Sequence, residues 1–135
     1  MMNISKEEKE ILRAVADSRR FPIVRFELRS TKEEELVSTA LNHVWITDTQ
    51  DSMETVKARA AVLQSLQEKK LIKINYSMKA WVASDYKIYY ASKLYEMLCH
   101  MVLEGQNNPK FLFDMPYMKR GMVTLTKVGN TFAKL

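Results

Sequence analysis

Residues 21–30, FPIVRFELRS, constrain the chain more than any other stretch. Val24, Phe26 and Leu28 alternate with Arg25, Glu27 and Arg29. This period of two puts apolar side chains on one face of a strand and charged ones on the other. Just upstream, Ser5 and Glu8 stand at S-x-x-E spacing, a capping box in which each side chain satisfies a backbone N–H of a first helical turn. Ile11, Leu12 and Val15 then follow at helical spacing. The helix is expected to fade near Asp17–Arg19, ahead of Pro22. Helix and strand signals thus stand side by side, and with the elements that follow they make the expected fold class α+β.

The remaining elements are read in the same way. Thr31 and Glu34 repeat the capping-box spacing and predict a second helix with Leu36, Val37, Ala40 and Leu41 inward. NHVWITDTQ is expected to be a loop whose Val44, Trp45 and Ile46 tuck into the core. Asp51 or Ser52 caps a third helix over about residues 52–69. LIKINY, Leu71 to Tyr76, reads as a strand, Ser77–Lys79 as a turn and Ala80–Ser84 as a short returning strand. Residues 86–104 predict a long fourth helix with Tyr90, Leu94, Met97 and Met101 on one stripe and Ser92, Lys93, Glu96 and His100 opposite. Gly105 marks its stop. A loop from Pro109 to Pro116 carries Phe111, Leu112 and Phe113 as anchors, and a strand near Lys119–Leu125 leads into a closing helix, Lys127–Lys134.

With 135 residues and 47% of them hydrophobic, the chain suits one domain spanning 1–135 with one sufficient core. The largest apolar run falls short of the roughly 18–20 residues that span a bilayer, so no membrane association is expected. MMNISKEEKE is too charged for the apolar part of a signal peptide. Cys99 has no second cysteine to pair with. Together these point to a reducing, cytoplasmic setting.

No catalytic constellation is apparent. His43 and His100 are the only histidines, and His100 diverges by about 100° from Cys99 on a helix, which disfavours shared chelation. Glycine-rich phosphate loops and the G-x-S-x-G elbow are absent from the sequence. The expectation is therefore a protein with no metal, no cofactor and no enzymatic activity.

Charge is distributed unevenly. Residues 1–68 hold 10 Lys/Arg against 12 Asp/Glu, a net −2, whereas residues 69–135 hold 11 against 4, a net +7. A carboxy-terminal half of this kind can face a polyanion or be an ordinary solvated surface.

Two stretches carry a family resemblance. LQSLQEKKLIKI, Leu63–Ile74, resembles the end of the recognition helix running into the first wing strand of winged-helix regulators of the MarR and PadR type. VTLTKVGNTFAKL, Val123–Leu135, is similar to the strand-to-helix passage that follows the wing in the same group. The resemblance implies a mainly helical, winged-helix-like fold with a small antiparallel sheet, and the helix at 86–104 would be an insertion or dimerisation element. It also implies a transcription regulator that binds double-stranded DNA as a homodimer. On that reading Lys57 and Gln64 of the third helix face base edges. Lys69, Lys70, Lys73, Lys79, Lys119 and Arg120 grip the backbone around the wing. Tyr90, Leu94, Met97, Leu98, Met101 and Val102 form the dimer interface.

The chain departs from that pattern at three points. Lys70 stands where the pattern has Gly, at a position calling for a left-handed backbone. The link between the second and third helices is about ten residues, and residues 78–118 are far longer than an ordinary wing. The outward arc of the third helix holds Glu54, Lys57, Ala58, Ala61, Gln64, Ser65 and Glu68, a poor surface for reading bases. Other arrangements are open: Arg19, Arg20, Arg25 and Arg29 can form a second basic patch, and Tyr86, Tyr89, Tyr90 and Tyr95 with Lys87 and Lys93 can stack on single-stranded nucleic acid, although core packing suits the tyrosines better. The competing function is a protein-interaction module that keeps the winged-helix frame and binds a partner through its apolar helix instead of DNA. Equally, that helix can fill a monomeric core.

Overall fold

The capping box opens the structure as expected. In this computed structural model, which describes residues 3–77 and 82–135, the Ser5 hydroxyl accepts from Glu8 N at 3.0 Å and Glu8 Oε1 accepts from Ser5 N at 3.0 Å. Helix α1 follows, Lys6–Asp17, and then strand β1, Phe21–Arg29. The next element is not a helix. Residues Val37–Val44 form strand β2, antiparallel to β1. The signal at Thr31 is spent elsewhere: its hydroxyl and amide both donate to the Asp114 carboxylate, so it caps no helix. Val37 through Val44 then lie along the edge of β1, where β-branched Val37 and Thr39 suit a pleated backbone.

Helix α2, Met53–Glu68, is capped by Ser52, and strand β3, Ile72–Asn75, follows. A 3₁₀ turn, Ala83–Tyr86, leads into helix α3, Lys87–Tyr90, helix α4, Lys93–Gly105, strand β4, Met115–Leu125, and helix α5, Lys127–Ala133. Lys79 and the expected strand at Ala80 and Trp81 lie outside the described residues; Ala83 and Ser84 belong to the 3₁₀ turn.

The four strands form one antiparallel sheet in the order β2-β1-β4-β3. β1 is therefore central; Phe21 and Ile23 bury its second face at one end, whereas Arg25 and Arg29 farther along that face stay partly exposed. Phe21 and Ile23 join Leu12, Leu63, Leu66 and Val123 beneath α1, α2 and α5. Val24, Phe26 and Leu28 join Tyr86, Tyr89, Leu94 and Leu98 on the other face, where Val56 of α2 also reaches.

The long fourth helix is broken at Ser92. Its backbone turns extended (φ −75°, ψ 149°), its hydroxyl donates to Tyr89 O at 2.6 Å and accepts from Tyr95 N at 3.2 Å, and the amide of Lys93 leaves the helical ladder for Thr49 O at 2.8 Å. A Ser with these partners starts a new helix more readily than it continues an old one. The break rotates the stripe. Leu94, Leu98 and Val102 point into the core, whereas Tyr90 is 48% exposed, Met97 45% and Met101 49%.

The two resembling stretches meet. Ile72 to Asn75 pair with Leu125 to Met122, so Leu63–Ile74 and Val123–Leu135 share a sheet edge. Helix α2 stops at a Schellman motif in which Leu71 N donates to Leu66 O and Lys70 N to Gln67 O, both at 3.0 Å. Lys70 takes the left-handed conformation at φ 61°. The fold is thus α+β with a small antiparallel sheet, as expected, though with a strand in place of the second helix and a divided fourth helix.

Candidate functional site

Strand β4 is eleven residues long and β3 only four. β3 pairs with Met122–Leu125, so Met115–Gly121 has β1 on one side and no paired strand on the other among the described residues. Where β3 ends, the Tyr76 ring lies over Gly121; a Cβ at that glycine would meet the ring at 2.7 Å. Tyr76, Tyr90, Tyr95, Tyr117, Lys119 and Arg120 line a groove of about 350 Å³ along this free edge. Alternation along β4 sends Tyr117 and Lys119 to one face and Met118 and Arg120 to the other, so the groove straddles the strand.

The face bearing Tyr117 is electropositive. In the β1–β4 register Arg25 stands opposite Lys119 and Glu27 opposite Tyr117. Glu27, 3% exposed, accepts from Arg29 Nε at 3.0 Å and Nη2 at 2.7 Å, and lies 3.9 Å from Arg25 Nη1. Lys119 has no carboxylate within 4 Å among the described residues. On this face β1 and β4 thus carry three cations and one carboxylate. The Arg25 guanidinium sits 4.2 Å over the Tyr76 ring and that of Arg29 3.6 Å over Tyr117. Each contact of this kind contributes about 0.5–1 kcal/mol when exposed and holds the guanidinium plane in place. On the opposite side of β4, the Arg120 guanidinium lies 5.4 Å from the Tyr86 ring.

The nearest polar cluster is built around His43, a non-glycine residue at φ 47°. Its Nδ1 lies 2.8 Å from the Tyr76 hydroxyl and its Nε2 2.9 Å from Gln64 Oε1. A neutral ring with the proton on Nε2 donates to Gln64 and accepts from Tyr76, which satisfies both nitrogens. Burial lowers the imidazole from its usual 6.5, the Gln64 hydrogen bond opposes that shift, and the Arg25 charge adds to it. The cluster fixes Tyr76, whose hydroxyl burial pushes up to about 12.

The residues singled out in the sequence fall in different places. Lys119 and Arg120 line the tyrosine groove. Lys70 and Lys73 border a second depression beside β3 with Gln67 and Asn75. Lys57 is exposed on α2, whereas Gln64 is engaged by His43 and by Glu68 at 3.2 Å. Lys69 is committed to the fold: its Nζ donates to both Glu8 oxygens at 2.8 and 2.9 Å and to Asn3 O. Burial pushes the Glu8 carboxyl up, but Lys69, the Ser5 amide and the Ser65 hydroxyl outweigh it and hold the group at about 2. Of the interface candidates, Leu94, Leu98 and Val102 are buried in the chain's own core, which leaves Tyr90, Met97 and Met101 at the surface. Tyr86 and Tyr89 are buried, their hydroxyls donating to Gly121 O at 2.8 Å and Pro22 O at 2.6 Å.

Tyr76 and Tyr117 were not anticipated, nor their stacking with the arginines of β1. The alternation in PYMKRG, which places Tyr117 and Lys119 on one face, is the signal that could have found half of the pair. Among the described residues no group of three or more His, Cys, Asp or Glu could hold a metal ion, and no helix is long and apolar enough to cross a membrane. No protein-family model, curated protein or solved structure matches the chain.

Proposed function

We propose that the protein binds nucleic acid through phosphate contacts made by the cationic surface of β1 and β4. The observation that carries this reading is the surplus of Arg25, Arg29 and Lys119 over the single carboxylate of Glu27, with Arg120 on the opposite side of β4. A winged-helix regulator is the frame that suits it best. The order α2, β3, β4, α5 is that of a recognition helix, two wing strands and the element after the wing, with residues 76–114 inserted between the strands. Contacts are to the backbone: Gln64 is already hydrogen-bonded within the protein, and Glu54 and Glu68 on α2 repel phosphate.

The test is fluorescence anisotropy with labelled duplex and single-stranded oligonucleotides over a salt titration. Phosphate gripping predicts an affinity that falls linearly on a log–log scale, by about 0.7–0.9 per contacted phosphate. Absence of any binding at about 50 mM salt and micromolar protein would exclude the reading.

A second reading has its own observation. Tyr90 of α3 and Met97 and Met101 of α4 are exposed, and a partner helix or a second copy can cover them. Light scattering over a concentration series tests for the homodimer, which predicts a mass of twice 15.8 kDa.

A further inference from the structure

We infer that the groove along the outer side of β4 takes single-stranded nucleic acid in preference to duplex, with bases stacked on Tyr90 and Tyr117 and phosphates held by Lys119 and Arg120. This inference rests on the nucleic-acid reading above and names the class of ligand.

Three observations carry it. First, aromatic rings and cations are interleaved in one groove: Tyr90 is 48% exposed, Tyr117 is 37% exposed, and Lys119 and Arg120 project to the two sides of the strand between them. In a duplex the base faces are already stacked on one another, so only unpaired bases can lie on such rings. Second, the rings are positioned in advance. Tyr117 is backed by the Arg29 guanidinium at 3.6 Å, Tyr76 is fixed by Arg25 and His43, and Tyr90 meets Tyr95 edge-on at 5.4 Å. Little rotamer freedom is left to lose on binding. Third, the β4 backbone from Met115 to Arg120 has no strand partner on its outer side among the described residues, so its outward N–H and C=O groups can meet the edges of unpaired bases. The surface that a duplex reader needs is poor by comparison, since α2 presents Glu54 and Glu68 beside its alanines.

The experiment measures the anisotropy of a labelled mixed-sequence single strand of about 12 nucleotides and of its duplex, at one fixed salt concentration. Single-strand affinity at least tenfold above duplex affinity is expected. Tyr90→Ala and Tyr117→Ala should each weaken the single strand by about five- to a hundredfold, weaken the duplex far less and preserve the circular dichroism spectrum. Tyr117→Phe, which keeps the ring, should bind as the parent does. Duplex binding as tight as single-strand binding, or tyrosine variants that bind the strand normally, would overturn this inference and leave the broader reading standing. Failure of both ligands to bind would remove both.

Discussion

The Thr126 hydroxyl donates to the carbonyl oxygen of Lys70 at 2.8 Å and lies 3.1 Å from that of Leu71, while its own amide donates to Leu71 O at 3.1 Å. The same hydroxyl oxygen accepts from Gly129 N at 3.0 Å and so caps α5. One residue therefore ties the exit of α2, the start of β3 and the entry of α5. Gly129 allows the approach: a Cβ there would lie 1.8 Å from Leu71 O. Gly129→Ala is expected to destabilise the fold by about 1–3 kcal/mol or more, and Thr126→Ala by about 1 kcal/mol, both read from urea midpoints.

Lys70→Gly should have the opposite sign. The left-handed backbone costs Lys on the order of 1 kcal/mol and costs Gly little, an advantage partly offset by the freer unfolded chain. A net gain of roughly 0.5 kcal/mol is expected in the same assay. A loss of stability would show that the Lys70 side chain makes a contact that outweighs its backbone.

Stability at acid pH should track Glu8. Its folded-state value, about 2, lies below the ordinary 4.5, so its contribution is complete above 4.5 and disappears as pH falls from there towards 2. Glu8→Gln removes this dependence and, by leaving Lys69 without its charged partner, costs about 1–3 kcal/mol at neutral pH. Thermal melts at several pH values check both points.

His43 acts in a separate window. Its folded-state value lies below 6.5, so the unfolded chain binds the proton more readily, and stability is complete above 6.5 and declines as pH drops below it. His43→Asn keeps a side chain that tolerates φ 47° and does not titrate. Its urea midpoint should be lower than that of the parent at pH 7 but flat between about pH 5 and 8.

On the outer face of α4, Met97→Glu with Met101→Glu should leave monomer stability within about 0.5 kcal/mol, whereas Leu98→Ala should cost about 2–5 kcal/mol. Chemical denaturation distinguishes the two outcomes, and a large cost at the methionines would mean that they are buried against a second copy.

Legibility in the sequence followed the range of the interactions. α1, α2 and α5 were readable to within a residue or two because Ser5, Ser52 and Thr126 cap them through contacts three residues away. β2 was misread because Thr31 is taken by Asp114, 83 positions along the chain, and because β1 needed a neighbour. The break at Ser92 was hidden for the same reason: Thr49 supplies the acceptor that makes it favourable. Glu27 follows the charged alternation of β1 yet is buried, since two arginines from its own strand satisfy it. Lys119 and Arg120 were readable as basic residues, but their tyrosine neighbours come from three separate stretches and could not be assembled without the fold.

A strand margin without a partner among the described residues invites copies of the same chain to add themselves to it, and Pro116, Lys119 and Arg120 are the residue types that discourage such stacking. The groups that would welcome a polyanion are thus also the ones that keep molecules apart from one another. Replacing both cations with Val or Thr would then do more than abolish an affinity: it would turn this margin into a site of aggregation.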